Sequence, residues 1–186
     1  MTTMHPPVPE ELEAQADPAA RFGPTGQLLL NVCKAAAIAG SLVFTALVVM
    51  SIISITGRKL WSAPVPGDVE MLQLCAAFAS ANFFAYCHLN RGDVKVDFFT
   101  DHLPPRAVHT LDAIGSLLIG LFGALIAWRT GAGAGMLQSA GETTMILGLP
   151  VWIGEALMVP GFVLLALAGF YMSVWHVRRA VRRGLP

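Results

Sequence analysis

The five histidines are the residues best suited to chemistry in this 186-residue chain: His5, His88, His102, His109 and His176. Axial imidazoles between membrane helices are one way to hold haem. Haem ligands sit inside a bundle, whereas these histidines stand at or beyond the ends of apolar runs. His88, His109 and His176 can meet at one rim, so a haem-binding anchor of an electron-transfer complex is the alternative to test; interfacial His is more commonly a polar residue at a wet boundary. Cys75 and Cys87 are twelve residues apart, about 18 Å along a helix, too far to bond. With Cys33 they form no C-x-x-C pair and no metal spacing, and read as small apolar fillers. Nucleophile elbow, zincin and phosphate-loop motifs are absent. Gly131–Gly135 follows no strand and reads as an outer loop. No catalytic residue, metal ligand or cofactor is expected, and no enzyme.

Transport needs ionisable groups near the bilayer midplane. Lys34, Glu70, Asp112 and Glu155 lie inside apolar runs but within seven residues of an end. Asn82 is the main deep polar residue, and Pro160-Gly161 is a single candidate kink. A small self-sufficient multidrug-type transporter would need Glu70 or Glu155 to lie deeper.

The elements that carry these residues follow from composition. Hydrophobic residues make up 55% and charged residues 13% of the chain, with net charge +0. Soluble domains carry about 25% charged residues. The balance excludes a disordered chain, a basic nucleic-acid binder and an ordinary soluble enzyme. Four runs are long enough to cross a bilayer, which takes ~20 predominantly apolar residues: 28–55, 69–89, 108–128 and 151–174. The expected fold is an all-α integral membrane protein of four transmembrane helices. Residues 1–27 are Pro-rich and acidic and read as a tail, unlike the basic start of a signal peptide. Residues 28–39 can lie along the interface before the chain turns inward. Residues 177–186 form a basic tail. Lys and Arg sit nine to three on the side of both termini and the 90–107 loop, because only Arg58, Lys59 and Arg129 fall opposite. That bias puts both termini in the cytoplasm. Within 90–107, Val94, Phe98 and Phe99 share one helical side, which favours an interfacial helix. Residues 129–150 extend the third span or lie flat on the outer surface.

Small residues four apart let membrane helices approach closely. Span one has Ala37, Ser41 and Thr45; span two has Ala77, Ala81 and Ala85; span three has Ser116, Gly120 and Ala124. The spans are built for contact more than for passage. On the outer side Arg58 and Glu70 flank the 57–68 connection and are placed to pair.

Several short motifs occur in order along this frame. Arg58 precedes Pro66-Gly67-Asp68-Val69-Glu70. Then come Arg91-Gly92-Asp93-Val94-Lys95-Val96-Asp97 and Leu103-Pro104-Pro105-Arg106. Trp128, Leu149-Pro150-Val151-Trp152-Ile153 and Val159-Pro160-Gly161-Phe162 follow. From residue 28 to 174 the chain resembles the small permease subunit, DctQ type, of tripartite ATP-independent periplasmic (TRAP) transporters. One departure is Asp93, where the family often has His.

The resemblance implies a bacterial or archaeal cytoplasmic-membrane protein. Its implied partners are a large multi-span permease subunit, a periplasmic solute-binding protein and membrane lipids, with no nucleic acid. The large subunit would carry an organic acid inward on a sodium gradient while the small one braces it. By motif, the resemblance singles out Arg58, Gly67, Glu70, Asp97, Arg106, Pro150, Trp152 and Pro160 as structural or partner-interface positions.

Overall fold

The computed structural model describes residues 22–92 and 105–182. They form four helices: α1 Pro24–Trp61, α2 Asp68–Leu89, α3 Pro105–Ala140 and α4 Val151–Arg182. One isolated β-bridge, Thr143 with Pro150, is the sole extended pairing among the described residues. Three helices are long and apolar enough to cross a membrane: Pro24–Leu60, Ala107–Ala140 and Val151–Val181. The exception, α2, has 22 residues, about 33 Å at 1.5 Å per residue, so it has the length. Gln73, Asn82, Tyr86 and His88 dilute its apolar character.

Each helix has a recognisable start or stop. α1 begins with Pro24 at its first turn, where a missing N–H costs nothing. It ends with Arg58 and Lys59 against the negative end of the helix dipole and Ser62 in the left-handed region (φ 55°). Asp68 and Glu70 occupy the first turn of α2, matching its positive end. α4 continues through Pro160 as helix.

Several expectations need correction. α1 is a continuous helix from Pro24, so residues 28–39 show no break between an interfacial piece and a span, and helix begins four residues before the expected span start at 28. Gly131–Gly135 lies within α3, not in a loop: no neighbouring residue forces a turn there, and Gly141 (φ 66°) ends the helix instead. Within 90–107, residues 90 and 91 form a turn and 105–107 begin α3; the expected interfacial helix, with Val94, Phe98 and Phe99, lies outside the described residues.

The helices pack in a single row, in the order α1, α2, α4, α3. α4 lies between α2 and α3, α2 lies between α1 and α4, and α1 meets α4 only slightly. The residues that make this row are small. Gly40 of α1 faces the backbone of Ala79 in α2; Gly161 of α4 faces Ala81; Gly120 and Gly123 of α3 face Ala166, Gly169 and Phe170. In α1 the buried positions Gly26, Cys33, Gly40, Leu47 and Ser54 recur every seven residues, a single seam of coiled-coil spacing. In α3 the buried stripe is Ala113, Ser116, Gly120, Gly123 and Ala127, which alternates steps of three and four. The strict four-residue stripes therefore held only in part. Ser41, Thr45 and Ala124 lie off the seams, and the Ser41 and Thr45 hydroxyls donate back to the carbonyls of Ala37 and Ser41. A four-residue step drifts off one face of a 3.6-residue helix.

With one seam each, α1 and α3 leave their other faces bare. Leu42, Ile52, Leu121, Phe122, Leu125 and Trp128 are among the exposed apolar side chains. At one end, where α1 begins and α4 finishes, Phe22 packs edge-on against Tyr171 and Trp175. Leu30, Cys33, Ala85, Leu89, Ala168 and Met172 close the core beside it. This is called the tail end below, and the opposite end the loop end.

A Cβ on Gly169 would lie 2.6 Å from Gly120 Cα and 2.8 Å from the Ser116 carbonyl oxygen, whereas one on Gly115 meets nothing within 4 Å. Gly169→Ala is expected to destabilise by about 1–3 kcal/mol through overpacking. Gly115→Ala is expected to be neutral or to gain up to about 1 kcal/mol of helix propensity. Thermal melting of the two variants in detergent gives the comparison.

Candidate functional site

The motif residues converge at the loop end. Gly67 stands just ahead of α2 in the left-handed region (φ 75°), and a Cβ there would strike the Leu147 side chain. Glycine is required on both counts. Its neighbour Asp68 accepts a hydrogen bond from the Ser54 hydroxyl of α1 and an ion pair from Arg58 at 3.3 Å. Ser54 in turn accepts from the Val65 N–H at 3.3 Å. Arg58 therefore pairs with Asp68 and not, as its position in the connection suggested, with Glu70. Asp68 is the first residue of α2, two residues nearer the connection from α1, and Glu70 is bonded to another loop.

Glu70 accepts the backbone N–H groups of Ile146 at 2.8 Å and Leu147 at 3.0 Å, with its two carboxylate oxygens. It joins α2 to the connection between α3 and α4, 76 residues away in sequence. That connection is itself built: Thr144 N–H donates to Leu149 O at 2.8 Å, and Leu149 N–H to the Thr144 hydroxyl at 3.1 Å. Val151 N–H donates to Glu142 O, and Ile153 N–H donates to Pro150 O as α4 starts. Gly141 and Gly148 take positive φ at its corners. The result holds an apolar tip in place, with Met145 fully exposed and Ile146 mostly so.

Arg58, Gly67, Glu70 and Pro150 thus belong to one loop-end assembly. Trp152 follows it, half-buried in the first turn of α4, and Pro160 is exposed further along that helix. Asp97 lies outside the described residues, and so does the Arg106 side chain, although Arg106 falls in the first turn of α3. Sequence reasoning missed Ser54 and the Asp68 role. The signal for Ser54 was its place on the seven-residue seam of α1, where a hydroxyl buried to 1% exposure must find a partner.

The cysteines are free. Cys33 is buried core, as a small apolar filler would be, Cys75 is half-buried, and Cys87 is exposed. At the tail end His109 and His176 come together with ring centroids 5.9 Å apart, and His88 is buried in α2.

Residues 47–179 match the family model described as tripartite ATP-independent periplasmic transporters, DctQ component. The chain belongs to the DctQ family. Neither curated proteins nor solved structures give a match. DctQ is a small membrane subunit of TRAP transporters, and a transporter component rather than an enzyme family. The matched span begins within the seam of α1 and holds the whole loop-end assembly of this DctQ protein.

The Ser54 hydroxyl, aided by the Val69 N–H and the Arg58 charge, outweighs desolvation and holds the Asp68 carboxyl below its ordinary range. A depressed carboxyl stabilises the fold fully above its unfolded pKa, about 3.9, and loses that contribution as pH falls through the lower folded value. The melting temperature gap between wild type and Asp68→Asn should therefore stay constant from about pH 7 to 5 and close below about pH 4. For Glu70→Gln, hydrogen exchange at the Ile146 and Leu147 amides should rise by about tenfold or more, since a neutral amide replaces two charge-assisted bonds. Unchanged exchange would mean that the loop holds itself.

Proposed function

We propose that this DctQ protein braces the large, multi-span permease subunit of a sodium-driven importer of an organic acid. It lies in a bacterial cytoplasmic membrane and helps to receive a periplasmic solute-binding protein. The observation that carries this is the single row of helices. A row encloses no pathway, and with no charge at any span centre it has nothing to carry an anion through lipid. What it offers is area: two bare edge helices and two broad faces for lipid or a partner helix.

Four crossings fit the described helices. α2 has sufficient length, and its Asn82 and His88 are buried against neighbours rather than turned to lipid. An even number of crossings returns the chain to the side on which it began, consistent with α1 beginning and α4 finishing at the tail end. The excess of Lys and Arg at that end favours the cytoplasm. The loop end then faces the periplasm, where the Met145–Leu147 tip, fixed by Glu70, is available to a soluble partner. Arg58, Gly67, Glu70 and Pro150 act by setting that tip. Trp152, Pro160, Asp97 and Arg106 are assigned to partner contact or cytoplasmic anchoring.

Clean deletion should abolish uptake of the transported acid while leaving the other two components expressed. The tagged chain should co-purify with the large subunit, and a C-terminal reporter should be active only in the cytoplasm. Normal uptake after deletion would sink the bracing role, and a C-terminus accessible from the periplasm would sink the topology.

A further inference from the structure

The α3–α4 seam ends in residues that packing alone does not call for. From the loop end it runs through Ala127, Gly123, Gly120 and Ser116 against Phe162, Ala166, Gly169 and Ser173. One heptad beyond Ser116 stands His109, and three residues beyond Ser173 stands His176. Asp112 is one helical turn from His109 on the same face of α3. His176 is buried to 1% exposure, and its Nδ1 lies 3.8 Å from Asp112 Oδ2. One ligand-capable atom from each of His109, Asp112 and His176 lies within 4.8 Å of the other two.

We propose that His109, Asp112 and His176 bind a divalent transition-metal ion of the Zn2+ class, which staples α3 to α4 at the tail end. Two imidazoles and a carboxylate are a common zinc donor set, with a fourth position left for water. Zinc ligands at 2.0–2.2 Å stand about 3.3 Å apart in a tetrahedron. The 3.8 Å pair is close to that spacing, and the widest separation closes by about 1.5 Å, within the reach of side-chain rotation. The rest of the cluster is fixed: glycine-mediated contact sets the distance between the two helices, and the Trp175 ring meets His176 edge-on at 5.0 Å. The ends of the apolar runs already placed His109 and His176 at one rim; Asp112, 64 residues before His176, joins them only through the packing of α3 on α4. The site is independent of the importer assignment.

The test uses the full-length chain in detergent, purified through a histidine-free tag, stripped with chelator and equilibrated with micromolar ZnCl2. Metal retained after gel filtration should be about one zinc per chain, and zinc should raise the melting temperature by several degrees. His109→Gln, His176→Gln and Asp112→Asn should each lose most of the retained zinc and the thermal shift. His102→Gln and His5→Gln should keep both. Melting in chelator identifies any variant that fails to fold, and the remaining variants then carry the comparison. No zinc retained by wild type overturns the proposal. So does zinc retained equally by the folded variants.

Discussion

The structure depends on one constraint: in lipid, apolar side chains gain little by meeting each other, so helices adhere only where their backbones come close. The closest helix contacts here are made by residues that allow it. Gly40 against Ala79, Gly161 against Ala81, and Gly120 and Gly123 against Ala166 and Gly169 set the three lines of contact. α1 and α3 each carry one small-residue stripe and so hold one close neighbour. α2 and α4 carry two and hold two. A row, not a closed bundle, is the arrangement that satisfies this allotment.

The apolar core shared by α1, α2 and α4 lies at the tail end, and the loop end is fixed by polar contacts instead. Ser54, Arg58 and Asp68 tie the first connection to α1 and α2. Glu70 reaches from α2 to the connection ahead of α4. These bonds cross the α2–α4 contact at the point where Gly67 lets the two loops touch. Glycine, acid and serine therefore form one device: the first permits approach, the second binds backbone, and the third steadies the acid beside it.

Much of this was legible in the residues. Long uncharged runs gave helices of the right order and place, and the motifs from Arg58 to Pro160 gave the family. The small-residue stripes pointed to close packing, but four-residue spacing chose Ser41, Thr45 and Ala124 where three-and-four alternation selects Gly40, Leu47 and Gly123. Pairing was less legible than position. Arg58 had two carboxylates within reach, and the choice of Asp68 was fixed by Ser54, a residue of another helix. Residues 131–135 looked like a loop because glycine is a weak helix former, yet the surrounding helix carries them. The meeting of His109, Asp112 and His176 depends on the side-by-side placement of α3 and α4, which no local pattern encodes.

The order of the row differs from the order of the chain. α1 and α2 emerge as neighbours and can pair at once. α3 emerges third, but its one adhesive stripe matches α4, which is made after it. Until the ribosome has delivered Phe162–His176, α3 has no partner within its own chain. α4 is thus a keystone for this row: a chain halted before residue 160 would hold a paired hairpin and one unattached helix, whatever its membrane insertion.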